Sequence, residues 1–230
     1  VTVLLSLEGL DGCCLPTRKP ADVMLVVDRS ATMAGIKLTA AKTAAKGFLD
    51  RLDMTTDQAG LASFDSSSGL LDAALTSSLG PVRAALDSLV AGGTVRDMTL
   101  GINIAQSELA GPRHKPANQP IMVLLSDGRP TTTDARTAAA AAKAAGTRII
   151  TIGLGANVDS SLMRDVASSP SDYYFAPDAT GLDAIYQQIA GAIGGAPATN
   201  IVITDRLSPY VTLVPNSFTG SPLPSVSADG

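Results

Sequence analysis

The sequence predicts an α/β domain with a doubly wound, mainly parallel sheet flanked by helices. Three observations carry that prediction. Four segments are short, continuous apolar runs, helical patterns lie between them, and stretches rich in Asp, Ser, Thr and Gly follow the runs. Continuous apolarity marks strands covered on both faces, which parallel sheets provide and half-exposed antiparallel sheets do not. Alternation of such strands with helices is the signature of a doubly wound fold.

The elements follow in chain order. The opening VTVLLSLE alternates, with Val1, Val3, Leu5 and Leu7 on one side and Thr2, Ser6 and Glu8 on the other. That is a half-exposed strand. Val23 to Val27 is the first buried strand. Ile36 to Leu52 then repeats apolar residues at Ile36, Ala40, Ala44, Phe48 and Leu52, which predicts a helix with one buried face. Gly60 to Phe64 is the second buried strand. Pro81 to Val90 reads as a short helix opening at proline, and Leu100 to Leu109 as another. Ile121 to Leu125 is the third strand. The stretch TTTDARTAAAAAKAAG offers hydroxyl and Asp caps, an alanine-rich body and Gly146 as a stop. Arg148 to Gly155 is the fourth strand. Tyr173, Tyr174 and Phe175 form a strand-edge aromatic cluster expected to pack at the core or rim. Thr180 with Asp183 suggests an N-cap for a helix through Leu182, Ile185, Ile189 and Ile193, closed by Gly194 and Gly195. Beyond it, NIVITDRL and PYVTLVPNSF alternate as the opening does. The expected division is a β-strand and linker at 1–20, the α/β domain at 21–195 and β-strands at 196–230. The two ends would build a small antiparallel β module.

Composition limits the chemistry. The chain of 230 residues has one histidine, His114, and two adjacent cysteines, Cys13 and Cys14. No Cys/His zinc cradle, Cys-x-x-Cys pair or four-cysteine cluster can be assembled from these. His114 lies in the Pro-rich stretch GPRHKPANQP and reads as a loop residue. Cys13 and Cys14 would close a strained eight-membered ring, since Cα atoms ~3.8 Å apart fall short of the ~4.4–6.8 Å a disulfide prefers. They read first as two thiols. Any metal must be held mainly by oxygen, which points to Mg, Ca or Mn. A net charge of −4 with 3% aromatic residues lacks the footprint of a nucleic-acid binder. No apolar run approaches the ~18 residues of a membrane span. The opening lacks the basic region and cleavage site of a signal peptide, and the chain reads as a processed protein or part of a longer, multidomain one.

In an open parallel sheet, ligands gather at the carboxyl ends of the strands. The first apolar run ends in Asp28-Arg29-Ser30-Ala31-Thr32, and the third in Ser126-Asp127-Gly128. Between them in sequence lies a glycine turn ending in Thr94. Asp28 and Asp127 would neutralise a divalent ion, and Ser30, Thr32 and Thr94 would add neutral oxygens. Mg²⁺ takes about six oxygens and usually keeps water, so a position stays open for a carboxylate from a partner. Each Asp also has a blander use as a helix cap. Arg29 reads as a solvated rim residue able to steer an acidic partner.

These residues carry a family resemblance. DVMLVVDRSATM, the Gly-Gly-Thr turn and VLLSDGRPT resemble the von Willebrand factor A (vWA) domain with its metal-ion-dependent adhesion site (MIDAS). That pattern is Asp-x-Ser-x-Ser/Thr, a separate Thr and a separate Asp before Gly. It maps onto Asp28, Ser30 and Thr32, onto Thr94 and onto Asp127. The resemblance spans roughly Ala21 to Gly195 and implies a Rossmann-like fold, a bound Mg²⁺ (or Mn²⁺ or Ca²⁺) and adhesion to a protein or matrix ligand through an acidic residue. TVRDMTLGI is about two residues longer than the family spacing, which leaves Thr99 as the alternative to Thr94. The tail ATNIVITDRLSPYVTLVPNSFTG resembles the opening of β-sandwich repeats of bacterial surface proteins, which implies an extracellular setting.

The expected function is a metal-dependent protein-binding module and not an enzyme. One alternative is a structural stalk module with a stabilising ion. Another is a Mg-dependent phosphatase, since VVDRSATM superficially resembles the Asp-x-Asp-x-Thr signature of haloacid-dehalogenase-type enzymes. Ser30 stands where those enzymes need a carboxylic acid, and it cannot do that proton work near neutral pH. A shift of the last helix, as in related domains, is expected to couple to the site loops.

Overall fold

A computed structural model of the protein describes residues 18–65, 68–93, 97–128 and 134–194. The expected terminal β module, Cys13, Cys14 and Thr94 lie outside these residues. The described chain forms one six-stranded sheet in the order β3-β2-β1-β4-β5-β6. The strands are β1 (Ala21–Asp28), β2 (Gln58–Phe64), β3 (Gly69–Thr76), β4 (Gln119–Ser126), β5 (Arg148–Leu154) and β6 (Tyr173–Ala176). All pairs are parallel except β2 with β3. The doubly wound, mainly parallel sheet is as the apolar runs predict.

Each central strand feeds two cores, one per face. Val23, Leu25 and Val27 of β1, with Ile121, Val123 and Leu125 of β4, face α1 (Ile36–Leu49), α2 (Leu79–Ser88) and α6 (Leu182–Gly194). Met24, Val26, Met122 and Leu124 face α3 (Met98–Leu109), α4 (Ala135–Ala144) and α5 (Ser160–Val166). Two-sided burial is why these runs do not alternate. Alanine dominates the inner face of α4, at Ala135, Ala139 and Ala142, so that helix can lie close to the sheet.

Gly101 of α3 explains another close approach. A Cβ there would fall 2.5 Å from Phe64 Cδ1 and 2.8 Å from Val26 Cγ1. Only the absence of a side chain lets α3 sit on β1 and β2 at this distance.

Several sequence expectations shift. The buried face of α1 is Leu38, Ala41, Ala44, Ala45, Phe48 and Leu49, while Ile36 is 81% exposed. The helix before the turn opens at Leu79, so Pro81 lies inside its first turn, where proline is tolerated. Asp178, not Thr180 or Asp183, accepts the capping bond, from Thr180 N, in the short 3-10 turn ahead of α6.

The topology fixes where a site can form. From β1 the chain winds to β2 on one side, and β4 adds on the other. The sheet therefore reverses its winding between β1 and β4. Their carboxyl ends flank the crevice that such a switch point opens. The far edge carries the chain's entry. β1 begins at Ala21, and a Cβ on Gly194, the last residue of α6, would lie 3.8 Å from Arg18 Nε. Both ends of the domain thus meet at the amino edge of the sheet, opposite the crevice.

Candidate metal centre

The register sets the site. Val27 pairs with Leu125, so Asp28 and Ser126 are the next residues on adjacent strands. Both are fully buried, and Ser126 Oγ donates to Asp28 Oδ2 at 2.6 Å. The other oxygen, Oδ1, accepts Ser30 N–H at 2.8 Å, a turn in which an Asp side chain folds the backbone two residues on. Ser30 Oγ lies 3.2 Å from Thr32 Oγ1, and Thr32 donates to Asp127 Oδ1 at 2.7 Å. Asp127 is itself buried. Four of the five residues expected from sequence therefore meet in one hydrogen-bonded chain: Asp28, Ser30, Thr32 and Asp127. Neither carboxylate caps α1, whose N-cap is Gly35.

The fifth position lies one residue past the described chain. Gly92 N–H donates to Arg29 O at 2.8 Å, and Ala31 N–H donates to Gly93 O at 3.0 Å. Gly93 takes φ 75°, a conformation glycine adopts without strain. Two backbone bonds thus pin the glycine turn to the Asp28–Thr32 loop. The alternative, Thr99, sits in the first turn of α3. Its N–H donates to Asp97 Oδ1 at 3.1 Å, and its hydroxyl oxygen is buried with no hydrogen-bond partner among the described residues.

Electrostatics favour a cation. Burial pushes the Asp28 carboxyl above its ordinary range, and the nearby Asp127 carboxylate pushes it further the same way. The bonds from Ser126 and Ser30 oppose this only in part. Two buried carboxylates that repel one another, with hydroxyl oxygens around them, fit a divalent ion that would relieve both effects.

Sequence reading missed the roles of three neighbours. Ser126 positions Asp28, and its only sequence signal was its place at the end of an apolar run. Lys37 of α1 extends its amine onto Asp127 Oδ2. Arg29 is not a solvated rim residue. It pairs with Asp65 at 2.7 Å and donates to Ser68 Oγ at 2.9 Å, bracing the loop beside the site. At the other end of the sheet, His114 Nδ1 lies 2.8 Å from buried Asp22, which also accepts from Lys115 N and Asn118 Nδ2. That ties the loop down far from the crevice.

The von Willebrand factor type A domain matches residues 22–188. The chain belongs to this family. Solved structures agree on the fold. The proximal thread matrix protein 1 of the mussel byssus superposes with a TM-score of 0.68 at 18% identity, over 75% of this chain and 46% of that one. A second structure of that protein has zinc in its MIDAS motif, with a TM-score of 0.67 at 20% identity, over 76% and 46% of the two chains. The vWF domain of the type V pili tip protein Mfa5 from Porphyromonas gingivalis gives 0.69 at 14% identity, over 80% and 99%. The pilus adhesin SpaC from Lactobacillus rhamnosus GG gives 0.63 at 19%, over 76% and 30%. The matched part of this chain spans less than half the length of the mussel protein. No curated protein matches the chain. No helix among the described residues is long and apolar enough to cross a membrane.

Proposed function

We propose that this vWA domain is an extracellular adhesion module. A divalent cation, held by Asp28, Ser30, Thr32, Thr94 and Asp127, bridges the domain to an acidic side chain of a protein or matrix ligand. The observation that carries this reading is the convergence of two buried, mutually repelling carboxylates with two hydroxyls at the switch point of the sheet. Mg²⁺ is the preferred ion, with Mn²⁺ or Ca²⁺ as substitutes, because all the donors are oxygens. Zinc in the mussel protein's motif widens what a titration must cover, since Zn²⁺ also accepts carboxylate oxygen. The module binds and does not catalyse. Ser30 stands where a phosphatase of the Asp-x-Asp-x-Thr type needs its second acid. Pilus adhesins among the structural relatives favour a surface setting. So does the placement of both domain ends at the edge opposite the crevice, which would present the ion outward.

Calorimetric titration of the purified chain with Mg²⁺, Mn²⁺ and Zn²⁺ tests this. Binding of one ion per chain, abolished in Asp127→Ala, is expected. No binding by the wild type, or unchanged binding by the variant, refutes it. A structural module with a stabilising ion is the competing reading. It is favoured if the ion raises Tm while added acidic peptide never alters the ion's affinity.

A further inference from the structure

The site contains a cation of its own. Lys37 lies in the first turn of α1, and its amine rests on Asp127 Oδ2 while Thr32 holds Oδ1. Asp127 is almost wholly buried, but the Lys37 side chain is 37% exposed. The amine thus reaches in from the solvent side over a carboxylate assigned above to the metal. It carries one charge where a divalent ion would bring two, and it can leave toward water at little steric cost because its four-carbon stem is flexible.

We infer that Lys37 is a built-in competitor for the cation. It partners Asp127 in the ion-free domain and is displaced, or held off at a cost, when the ion enters. This rests on the metal-binding reading above and deepens it. Two consequences follow from charge alone. Like charges repel, so the ion must overcome the amine's attraction for Asp127 as well as its own dehydration. Once displaced, the amine remains beside the open coordination position, where it pairs with the incoming carboxylate of the ligand. Lys37 would therefore weaken the hold on the bare ion and strengthen the hold on ion and ligand together. Such a site stays empty at low divalent concentration and loads best when both components are present.

The test compares wild type with Lys37→Met and Lys37→Arg. Methionine keeps much of the stem volume without the charge. Mg²⁺ and Mn²⁺ are titrated calorimetrically, and Tm is read in chelator and in saturating ion. For Lys37→Met we expect about tenfold tighter Mg²⁺ binding and a larger rise in Tm on adding ion than in the wild type. Acetate, the simplest carboxylate probe, should enhance Mg²⁺ affinity less in the variant. Lys37→Arg should stay near wild type. Equal or weaker Mg²⁺ binding by folded Lys37→Met, with normal binding by the wild type, overturns the competitor role and leaves the metal site standing. Absence of ion binding in both overturns the two proposals together.

Discussion

Replacing Ser126 with alanine removes one hydroxyl and almost no volume. In the fold that hydroxyl donates at 2.6 Å to Asp28 Oδ2, and both residues are fully buried. A hydrogen bond to an ionised group contributes about 1.5–3 kcal/mol. For a domain of this size each kcal/mol moves Tm by roughly 2–4 °C, so a fall of about 3–12 °C is expected in chelator at pH 8. The pH dependence makes the prediction specific. The Ser126 bond lowers the Asp28 pKa against burial, which raises it, so the bond favours the carboxylate. The deficit should be full where Asp28 is ionised in the folded chain. It should shrink as pH falls through the raised folded pKa and the carboxyl takes up a proton in both proteins. The assay is urea unfolding of both chains from pH 8 to pH 5 with chelator present. A deficit that is absent at pH 8, or that grows on acidification, would refute the account of Asp28. On the proposed metal-binding reading, the same variant should bind Mg²⁺ more weakly but still measurably, since Ser126 would position the ligand Asp28 without being a ligand itself.

Two other perturbations test the frame around the site. Gly101→Ala should destabilise by about 1–3 kcal/mol in thermal or urea unfolding, because overpacking against Phe64 and Val26 outweighs the ~1 kcal/mol that alanine gains in a helix; a stabilised variant would show that α3 shifts freely. Glu108 accepts from Arg113 Nε and Nη2 and from buried Leu75 N, and the Arg113 pairing holds its carboxyl below the usual range. Its contribution is present above the ordinary glutamate pKa and is lost as pH falls through the depressed folded value, so Glu108→Gln should cost about 1–3 kcal/mol at pH 7 and markedly less near pH 3, as read by urea unfolding.

What the sequence made legible follows from burial. β1, β2, β4 and β5 are covered on both faces, so each wrote itself as an apolar run. β3 was not legible. It is an edge strand with Leu70 and Leu71 exposed, and register shifts in its pairing with β2 break the alternation that would have marked it. α5, only seven residues long, is too short to show a period, and β6, four residues long, showed only as the strand-edge aromatic cluster Tyr173, Tyr174 and Phe175. The misplaced face of α1 has a geometric cause. A strict four-residue spacing drifts about 40° per step around a helix of 3.6 residues per turn. From Phe48 back to Ile36 it has left the buried side, while Leu38, Ala41 and Ala45 keep the mixed three-and-four spacing that tracks one face. At the site, the residues at strand ends were legible because the fold gathers such positions. Ser126 was legible only as a neighbour of Asp127. Lys37 was hidden, because eight residues of loop and helix separate it from Asp28 and nothing local in the sequence brings its amine back to Asp127.

The meeting of Arg18 and Gly194 at one edge of the sheet has a mechanical consequence. Tension applied along the chain enters and leaves the domain at almost the same point. The load passes between two neighbouring anchor points, and the long axis of the strands is spared. Arg18 is further moored there to Asp57. The crevice between β1 and β4 lies at the far end of the sheet, outside that line of force. Were the chain pulled from both of these points, the crevice would lie off the line of force and keep its geometry.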